Sequence, residues 1–309
     1  MDMKKMLLIT AVMIPLMVFA QTGKYAKYIK KFDVLQYLPE QCDSNPSTFW
    51  RAVVNNNPVL KDCTMKFVEP KGSAKKALEE ISRANSLNAA ADASYPKMDV
   101  GDMNDELNKM LLGSGVGGTK MTFSVLNRDD WNAFCTPDGH VYIHYGLVKR
   151  LDMKDEMLFG VLGHEITHYM LRHQLIHVYK VLKREKLNNV GAAIGMAGTA
   201  IGNMAAASGG VSMGTPEQQA QQYHQFWDNA ERDTRLYSFK YGRDEEIEAD
   251  IVAYRFLEWI GIDPVNFINA LNRINLDNMT GAGDKESDHP STEFRIGILR
   301  QLEPAKWRR

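Results

Sequence analysis

His164-Glu165-Ile166-Thr167-His168 is the stretch of this sequence that most constrains the fold and its chemistry. Two histidines four residues apart lie on one face of an α-helix, so both imidazoles can reach the same zinc ion at ~2.0–2.1 Å. Glu165 is rotated by about 100° around the helix and still borders the metal. It can take a proton from water there without being a ligand. The pattern is typical of a hydrolytic zinc site on a helix.

The motif also arises by coincidence and needs support from the rest of the chain. With eight histidines in 309 residues, unrelated positions would produce it in about one chain per hundred. A catalytic zinc needs a third protein ligand and an open fourth position. One class of zinc peptidase has glycine and histidine where this chain has Leu171 and Gln174, so that class is excluded.

A later helix supplies carboxylates for the third ligand. Glu246 and Asp250 are four residues apart at the start of an apolar-periodic segment that stops at a glycine, so they share one helix face. Such a pair can place one carboxylate on the metal and the other on the free ring nitrogen of a ligating histidine. The neighbouring Asp244, Glu245 and Glu248 are expected to be solvated charges.

The region before the motif changes from a helical pattern to a period of two. Three short strands are predicted, over 121–126, 131–135 and 141–144, and Thr136-Pro137-Asp138-Gly139 forms a turn between the last two. We therefore expect a small antiparallel sheet beside the helix that carries the motif.

Helical patterns occupy most of the remaining sequence. Residues 73–112 are helical with one interruption near Pro96, and Asp152 can cap a long helix that extends to about Val181. The predicted fold class is α+β, mainly helical, with the small antiparallel sheet beside the motif helix.

Several features in a fixed order resemble one family. They are Asn132-Ala133-Phe134 ahead of Gly146-Leu147, the H-E-x-x-H motif, Glu246-x-x-Ala249-Asp250, and a late His289-Pro290 with Arg295-Ile296. Over about residues 100 to 300 they are similar to the gluzincin zinc metallopeptidases typified by the heat-shock protease HtpX and the CAAX prenyl endopeptidase. The order is more specific than any single motif.

The resemblance implies roles for particular residues. It implies that the zinc ligands are His164, His168 and Glu246, that Glu165 is the base, and that His289 and Arg295 lie near the metal. His289 either donates to the oxyanion or occupies the open zinc position in a resting enzyme. Both roles stay open.

The charge balance and the cysteines limit the partners and the compartment. The chain has 37 basic and 38 acidic side chains, so it has no basic field that would attract nucleic acid, and we expect no nucleic-acid partner. Three cysteines are too few for a disulfide-built scaffold. Cys42 and Cys63 either pair or remain free thiols.

The first 20 residues have the features of a signal peptide. Lys4 and Lys5 precede a largely apolar run of 14 residues, Met6–Phe19, and Ala20 is a small residue at the cleavage position. The run is shorter than the ~20 residues that span a bilayer. We expect an exported protein, periplasmic or secreted. It would comprise a signal peptide over 1–20, an N-terminal extension over 21–72 and a zinc metallopeptidase domain over 73–309.

Residues 190–214 form an uncharged stretch between the two metal motifs. Fourteen of its 25 residues are Gly or Ala, and small residues at this spacing let helices approach closely. Seven glycines dilute its apolar bulk. This composition favours a segment that covers the active-site cleft, and it argues against a membrane-spanning helix. Peripheral contact with a membrane through this stretch stays open.

Four further histidines repeat the four-residue spacing. They are His140, His144, His173 and His177. No acidic partner is evident for the second pair, so surface or half-buried histidines are expected here in place of a second metal site.

These features predict a zinc-dependent endopeptidase of the cell envelope that degrades misfolded or misassembled exported proteins. The alternative is a zinc-stabilised chaperone or assembly factor that holds unfolded clients without cutting them. The presence of Glu165 favours the enzyme, because a binding protein needs no base at the metal.

Overall fold

The computed structural model describes residues 23–92, 95–116, 118–188, 242–274 and 290–307. In these ranges the chain folds into helices joined to one small sheet. The helices are α1 (residues 23–32), α2 (Pro46–Asn56), α3 (Pro58–Val68), α4 (Ser73–Asp92), α5 (Met103–Leu111), α6 (Tyr145–Arg150), α7 (Asp155–Met170), α8 (His173–Asn188), α9 (Arg243–Ile260), α10 (Val265–Ile274) and α11 (Thr292–Leu299). The strands are β1 (Thr122–Leu126), β2 (Ala133–Cys135) and β3 (His140–His144).

The three strands form one mixed sheet in the order β1-β3-β2. The central strand β3 runs antiparallel to β2 and parallel to β1. The predicted turn between β2 and β3 is confirmed, and Gly139 takes φ +86° there, which glycine adopts without steric cost. The mainly helical α+β class is also confirmed. The prediction of an entirely antiparallel sheet is wrong.

The loop after β1 explains the parallel pair. It crosses the end of β3, where the Gly146 amide donates to the Arg128 carbonyl at 2.8 Å. A Cβ atom at position 146 would lie 2.0 Å from the Asp129 carbonyl oxygen, so the crossing requires glycine. The loop carries the chain to the far edge of the sheet and leaves room for β3 in the middle. Hydrophobic alternation predicts strands but not their order, so it cannot indicate this crossing.

Helices α7 and α9 pack against each other at the centre of the molecule, and α10 and β2 also pack on α7. A Cβ atom at Gly160 would lie 2.7 Å from Cβ of Phe267, so α10 rests directly on the backbone of α7. The predicted end of α9 is confirmed, with Gly261 at φ +83° as its C-cap. This packing surrounds the H-E-x-x-H motif with helix and sheet.

The single helix predicted from Asp152 to about Val181 is in fact two helices. Lys154 is the N-cap of α7, α7 ends at Met170, and Arg172 takes φ +54° before α8 begins at His173. The prediction is wrong because apolar periodicity continues through both helices. The left-handed residue is not a glycine, so the sequence carries no stop signal there.

The segment before residue 72 packs into the same core as the residues after it. Phe49 and Trp50 of α2 are fully buried, and Phe49 contacts the Phe256 ring of α9 edge-on at 5.2 Å. The guanidinium of Arg255 donates twice to Asp33, at 2.7 and 2.9 Å. Residues 23–68 therefore support the helix that carries Glu246.

All three cysteines are buried free thiols, so the structure does not contain the disulfide considered for Cys42 and Cys63. The Cys42 thiol lies 3.1 Å from the carbonyl of Trp259 in α9. None of the helices in the described part of the chain combines the length and the apolar character needed to cross a bilayer.

Candidate metal centre

Helix α7 places the two histidines and the glutamate of the motif together in the interior. His164, Glu165 and His168 are all buried, and His168 is completely inaccessible. The preceding Gly163 lies against Ala253 and Phe256 of α9, at 3.4–3.6 Å from an added Cβ atom. The close approach of the two helices brings the motif beside the acidic start of α9.

Glu246 completes a cluster of three converging side chains. The Nε2 atoms of His164 and His168 are 3.0 Å apart. The Glu246 carboxylate oxygens lie 3.6 Å from Nε2 of His164 and 3.5 Å from Nε2 of His168. Within the described residues these three form the group that could hold a metal ion, with their ligand atoms all within 4.8 Å of one another.

The donor spacing fits a tetrahedral zinc ion. Ligands at ~2.0–2.1 Å from a tetrahedral centre lie about 3.3 Å from one another. The two imidazole nitrogens are 3.0 Å apart, and each has one of the two Glu246 oxygens at a similar distance, 3.6 Å for His164 and 3.5 Å for His168. Two imidazoles and one carboxylate are also the donor types of catalytic zinc sites, which keep a fourth position open. The cluster can therefore hold a metal ion and leave room for a reactant.

Asp250 and Arg295 form a buried pair behind His164. Oδ1 of Asp250 lies 2.9 Å from Nδ1 of His164. Arg295 donates to both Asp250 oxygens, at 2.6 and 2.7 Å. Burial alone would raise the pKa of Asp250, but the charge of Arg295 and the bond to His164 outweigh it and lower that pKa. The carboxylate therefore stays ionised and orients the imidazole.

The field at the cluster favours positive charge. Burial lowers the pKa of His164, but hydrogen bonds and charges from Asp250 and Glu246 outweigh that effect and raise it to about 10. The same carboxylates that stabilise a proton on His164 also favour a metal cation at this position.

Glu165 is held against the edge of the sheet. The backbone amide of Cys135 in β2 donates to its Oε2 at 3.1 Å. The carbonyl of the same Cys135 accepts from the side-chain amide of Gln174 at 2.8 Å. Burial raises the pKa of the Cys135 thiol well above its ordinary value, so this sulfur stays protonated and is no nucleophile. Its backbone fixes the direction of the Glu165 carboxylate.

Two residues expected at the surface lie against the cluster. His173 is 1 % exposed, and its Nδ1 lies 2.9 Å from Nδ1 of His168. Its Nε2 lies 3.4 Å from Oε2 of Glu248, and the other oxygen of that carboxylate, Oε1, accepts from the Asn57 side chain at 2.8 Å. The sequence offers no direct signal for this contact, because two residues five positions apart on a continuous helix point in different directions. Only the bend at Arg172 brings the two rings together.

The prediction of solvated charges at the start of α9 is also corrected for two of the three residues. Glu245 and Glu248 are buried, and Glu245 pairs with Lys180. The Asp244 side chain is 49 % exposed and pairs with Lys31, as expected of a solvated charge. The start of α9 packs against α8 and the N-terminal segment, which covers a face that the charge run alone predicts to be solvated.

The histidines on the sheet and on α8 also differ from expectation. His144 is buried and hydrogen-bonds Asp130 at 2.6 Å. His140 is half-buried and stacks on Tyr142, and His177 is half-buried. The prediction of surface or half-buried positions is thus wrong for His144 and His173. The described residues bring none of the four into a second metal group.

Three predicted features lie outside the described residues. They are His289, the stretch 190–214 and the signal peptide over 1–20. The roles assigned to them stay predictions from the sequence.

The fold and the cluster together define a metallopeptidase with its site on two packed helices and the edge of a small sheet. The chain belongs to peptidase family M48, whose family description matches residues 98–303. It is accordingly a metalloendopeptidase.

Comparison with curated proteins gives relatives of the same kind. The chain is 27 % identical over 245 residues to the metalloprotease YcaL of Escherichia coli (strain K12), covering 78 % of this chain and 83 % of YcaL. It is 23 % identical over 210 residues to the metalloprotease LoiP of the same organism, covering 66 % and 73 %. A 25 % identical match over 189 residues to the beta-barrel assembly-enhancing protease of Yersinia pestis covers 61 % of this chain and 35 % of that protein.

Proposed function

We propose that this chain is a zinc-dependent endopeptidase of the cell envelope that degrades misfolded or misassembled exported proteins. The observation that carries the proposal is the cluster of His164, His168 and Glu246 with Glu165 beside it, at distances that suit a tetrahedral metal. Zinc, when bound, would supply the Lewis acidity that polarises the scissile carbonyl and makes water a nucleophile at neutral pH.

Side chains of this chain are proposed to transfer the proton and to orient the candidate ligands. Glu165 accepts the proton of the attacking water and passes it to the leaving amine, as a positioned carboxylate can. The Cys135 amide orients the Glu165 carboxylate by donating to its Oε2. Asp250 and Arg295 hold His164 in the orientation that directs Nε2 toward Glu246.

His289 is proposed to act at the same site on the basis of the resemblance. As a donor to the oxyanion it would contribute ~100-fold or more to turnover. As a resting ligand of the metal it would instead suppress basal cleavage. The variant His289→Ala distinguishes these roles, because activity falls steeply in the first case and rises or stays constant in the second.

The edge strand β2 is the proposed substrate platform. The backbone carbonyl of Asn132 accepts from the His144 amide, and the backbone amide of Thr136 donates to the His140 carbonyl. The backbone polar groups at these two positions therefore face β3. The backbone polar groups of Ala133 and Cys135 alternate with them and face away from β3. Cys135 is engaged by Glu165 and Gln174, which leaves Ala133 as the position where an extended peptide can pair. Recognition through backbone hydrogen bonds tolerates many sequences, as unfolded substrates require.

The envelope assignment is supported from the sequence and from the relatives. The first 20 residues have the pattern of a signal peptide. One relative is named a beta-barrel assembly-enhancing protease. Misassembled envelope proteins are therefore the proposed clients, and residues 190–214 remain the proposed cover or membrane contact.

Digestion of an unfolded protein such as β-casein tests the enzyme against the chaperone alternative. We expect the purified zinc-loaded chain to cleave it, a chelator to stop cleavage and zinc to restore it. Binding of casein without cleavage by the zinc-loaded chain would instead support the chaperone. Fractionation of cells expressing the full chain tests the compartment, and retention in the cytoplasm with residues 1–20 uncleaved would contradict export.

A further inference from the structure

A buried line of side chains extends from His168 away from the metal cluster. It runs through His173 to Glu248, and Asn57 lies at its far end. All four residues are at least nine-tenths buried. The line exists because Arg172 takes φ +54° after α7 and directs the first residue of α8 back toward the motif.

The direction of each hydrogen bond follows from the geometry of His168. Its Nε2 faces His164 and Glu246, so a metal at the cluster would take that nitrogen. A neutral imidazole that ligates through Nε2 carries its proton on Nδ1. His168 therefore donates from Nδ1 to Nδ1 of His173, which accepts at 2.9 Å.

The position of the proton on His173 follows from the same argument. A neutral His173 that accepts at Nδ1 carries its proton on Nε2, and that nitrogen faces Oε2 of Glu248 at 3.4 Å. Oε1 of Glu248 accepts from Asn57, whose own Oδ1 accepts from the Leu60 amide at the start of α3. The contact between His173 and Glu248 is longer than the hydrogen bonds on either side of it, and Asn57 at the end of the line is held by the N-terminal segment.

We propose that His173, held by Glu248, is a positioning residue for the metal ligand His168. Asp250 orients His164 by direct contact, whereas Glu248 acts on His168 through the intervening imidazole. The proposal rests on the proposed zinc site and adds that residues before position 72, through Asn57, help to orient one of its ligands. Partners of this kind typically change metal affinity by 10–100-fold.

Zinc affinity of the purified full chain, measured by competition with a chromophoric chelator, tests the proposal. His173→Phe keeps a ring of similar shape but removes the acceptor, and we expect about 10–100-fold weaker zinc binding. His173→Asn places Oδ1 where Nδ1 was, so it still accepts from His168, and we expect it to recover most of the affinity. Unchanged affinity in His173→Phe, or equal losses in both variants, would overturn the proposal.

The visible spectrum of the Co²⁺-substituted chain provides a second readout that a loss of stability alone does not move. We expect a changed ligand-field spectrum in His173→Phe and a spectrum like that of the unsubstituted chain in His173→Asn. Identical spectra in all three proteins would contradict an effect on ligand orientation.

Glu248→Gln keeps the proposal testable if His173→Phe does not fold. A glutamine has an NH2 group in place of one of the two carboxylate oxygens, so it loses the acceptor that faces either Asn57 or His173, and zinc binding should weaken several-fold. Glu245→Gln is the matched control, since Glu245 is equally buried on the same helix but pairs with Lys180. Equal effects at the two positions would overturn the proposal. Absence of zinc binding in the unsubstituted chain would instead reject the metal site itself.

Discussion

Oδ1 of Asp250 lies 2.9 Å from Nδ1 of His164, on the side of the ring opposite the metal cluster. Asp250 is one turn after Glu246 on α9, so one helix face provides both a candidate ligand and the group that orients another ligand. Any displacement of α9 relative to α7 would therefore affect two of the three candidate ligands together. Glycine at position 163 lets the two helices pack closely at this point.

Replacement of the proposed base should separate chemistry from metal binding. Glu165→Gln can still accept from the Cys135 amide but cannot take a proton from water. We expect retained zinc and fold with less than a few per cent of the peptidase turnover, measured on an unfolded substrate with zinc determined by elemental analysis. Glu156→Gln, an exposed change on the same helix, should leave both values unchanged. Substantial turnover in Glu165→Gln would contradict the assigned role.

Removal of the carboxylate ligand should affect metal and activity together. In Glu246→Gln the neutral amide is a weaker zinc ligand, so we expect zinc affinity to fall by more than ~10-fold and activity to fall with it. Glu258→Gln serves as control, because Glu258 lies on the same helix but pairs with Arg255, away from the cluster. Normal zinc content in purified Glu246→Gln would show that another residue completes the site.

The Arg295–Asp250 pair should show strong coupling in stability. Arg295→Gln leaves the buried Asp250 carboxylate without its bidentate partner, and breaking a buried pair costs about 3–5 kcal/mol of unfolding free energy. Asp250→Asn in the same chain removes the stranded charge and should restore part of that loss. Urea unfolding of both single variants and the double variant measures the coupling. Simple additivity would contradict a direct interaction.

The Asp130 carboxyl should make stability depend on pH in the acid range. Burial would raise its pKa, but hydrogen bonds and charges from His144 and Arg128 outweigh burial and hold the pKa well below its ordinary value. A lowered pKa stabilises the fold fully above the unfolded-state pKa of about 4, and the contribution is lost as pH falls further.

Asp130→Asn should therefore lower the unfolding free energy by about 1 kcal/mol at pH 6–7, allowing for the partial exposure of the group. The difference from the unsubstituted chain should shrink progressively below pH 4 in urea titrations. Asp129→Asn is the control, since that side chain is 91 % exposed beside Lys149 and should have little effect. A difference that is constant down to pH 2 would contradict the mechanism.

The sequence by itself determined the parts of the protein that depend on local spacing. The four-residue separations of His164 and His168, and of Glu246 and Asp250, place each pair on one helix face wherever the helices lie. The end of α9 at Gly261 and the turn at Gly139 also follow locally, because glycine adopts positive φ without strain. Period-two alternation identified the three strands, because the side chains of a strand point alternately to the two faces of a sheet.

Only the tertiary structure decided how these parts meet. The order of the strands depends on a loop that crosses β3 beside Gly146, and hydrophobic alternation carries no information about neighbours. The burial of Glu248 and its contact with His173 depend on the bend at Arg172 and on packing of the N-terminal segment. A side chain's exposure is set by what packs over it, and that is fixed only when distant segments of the chain come together.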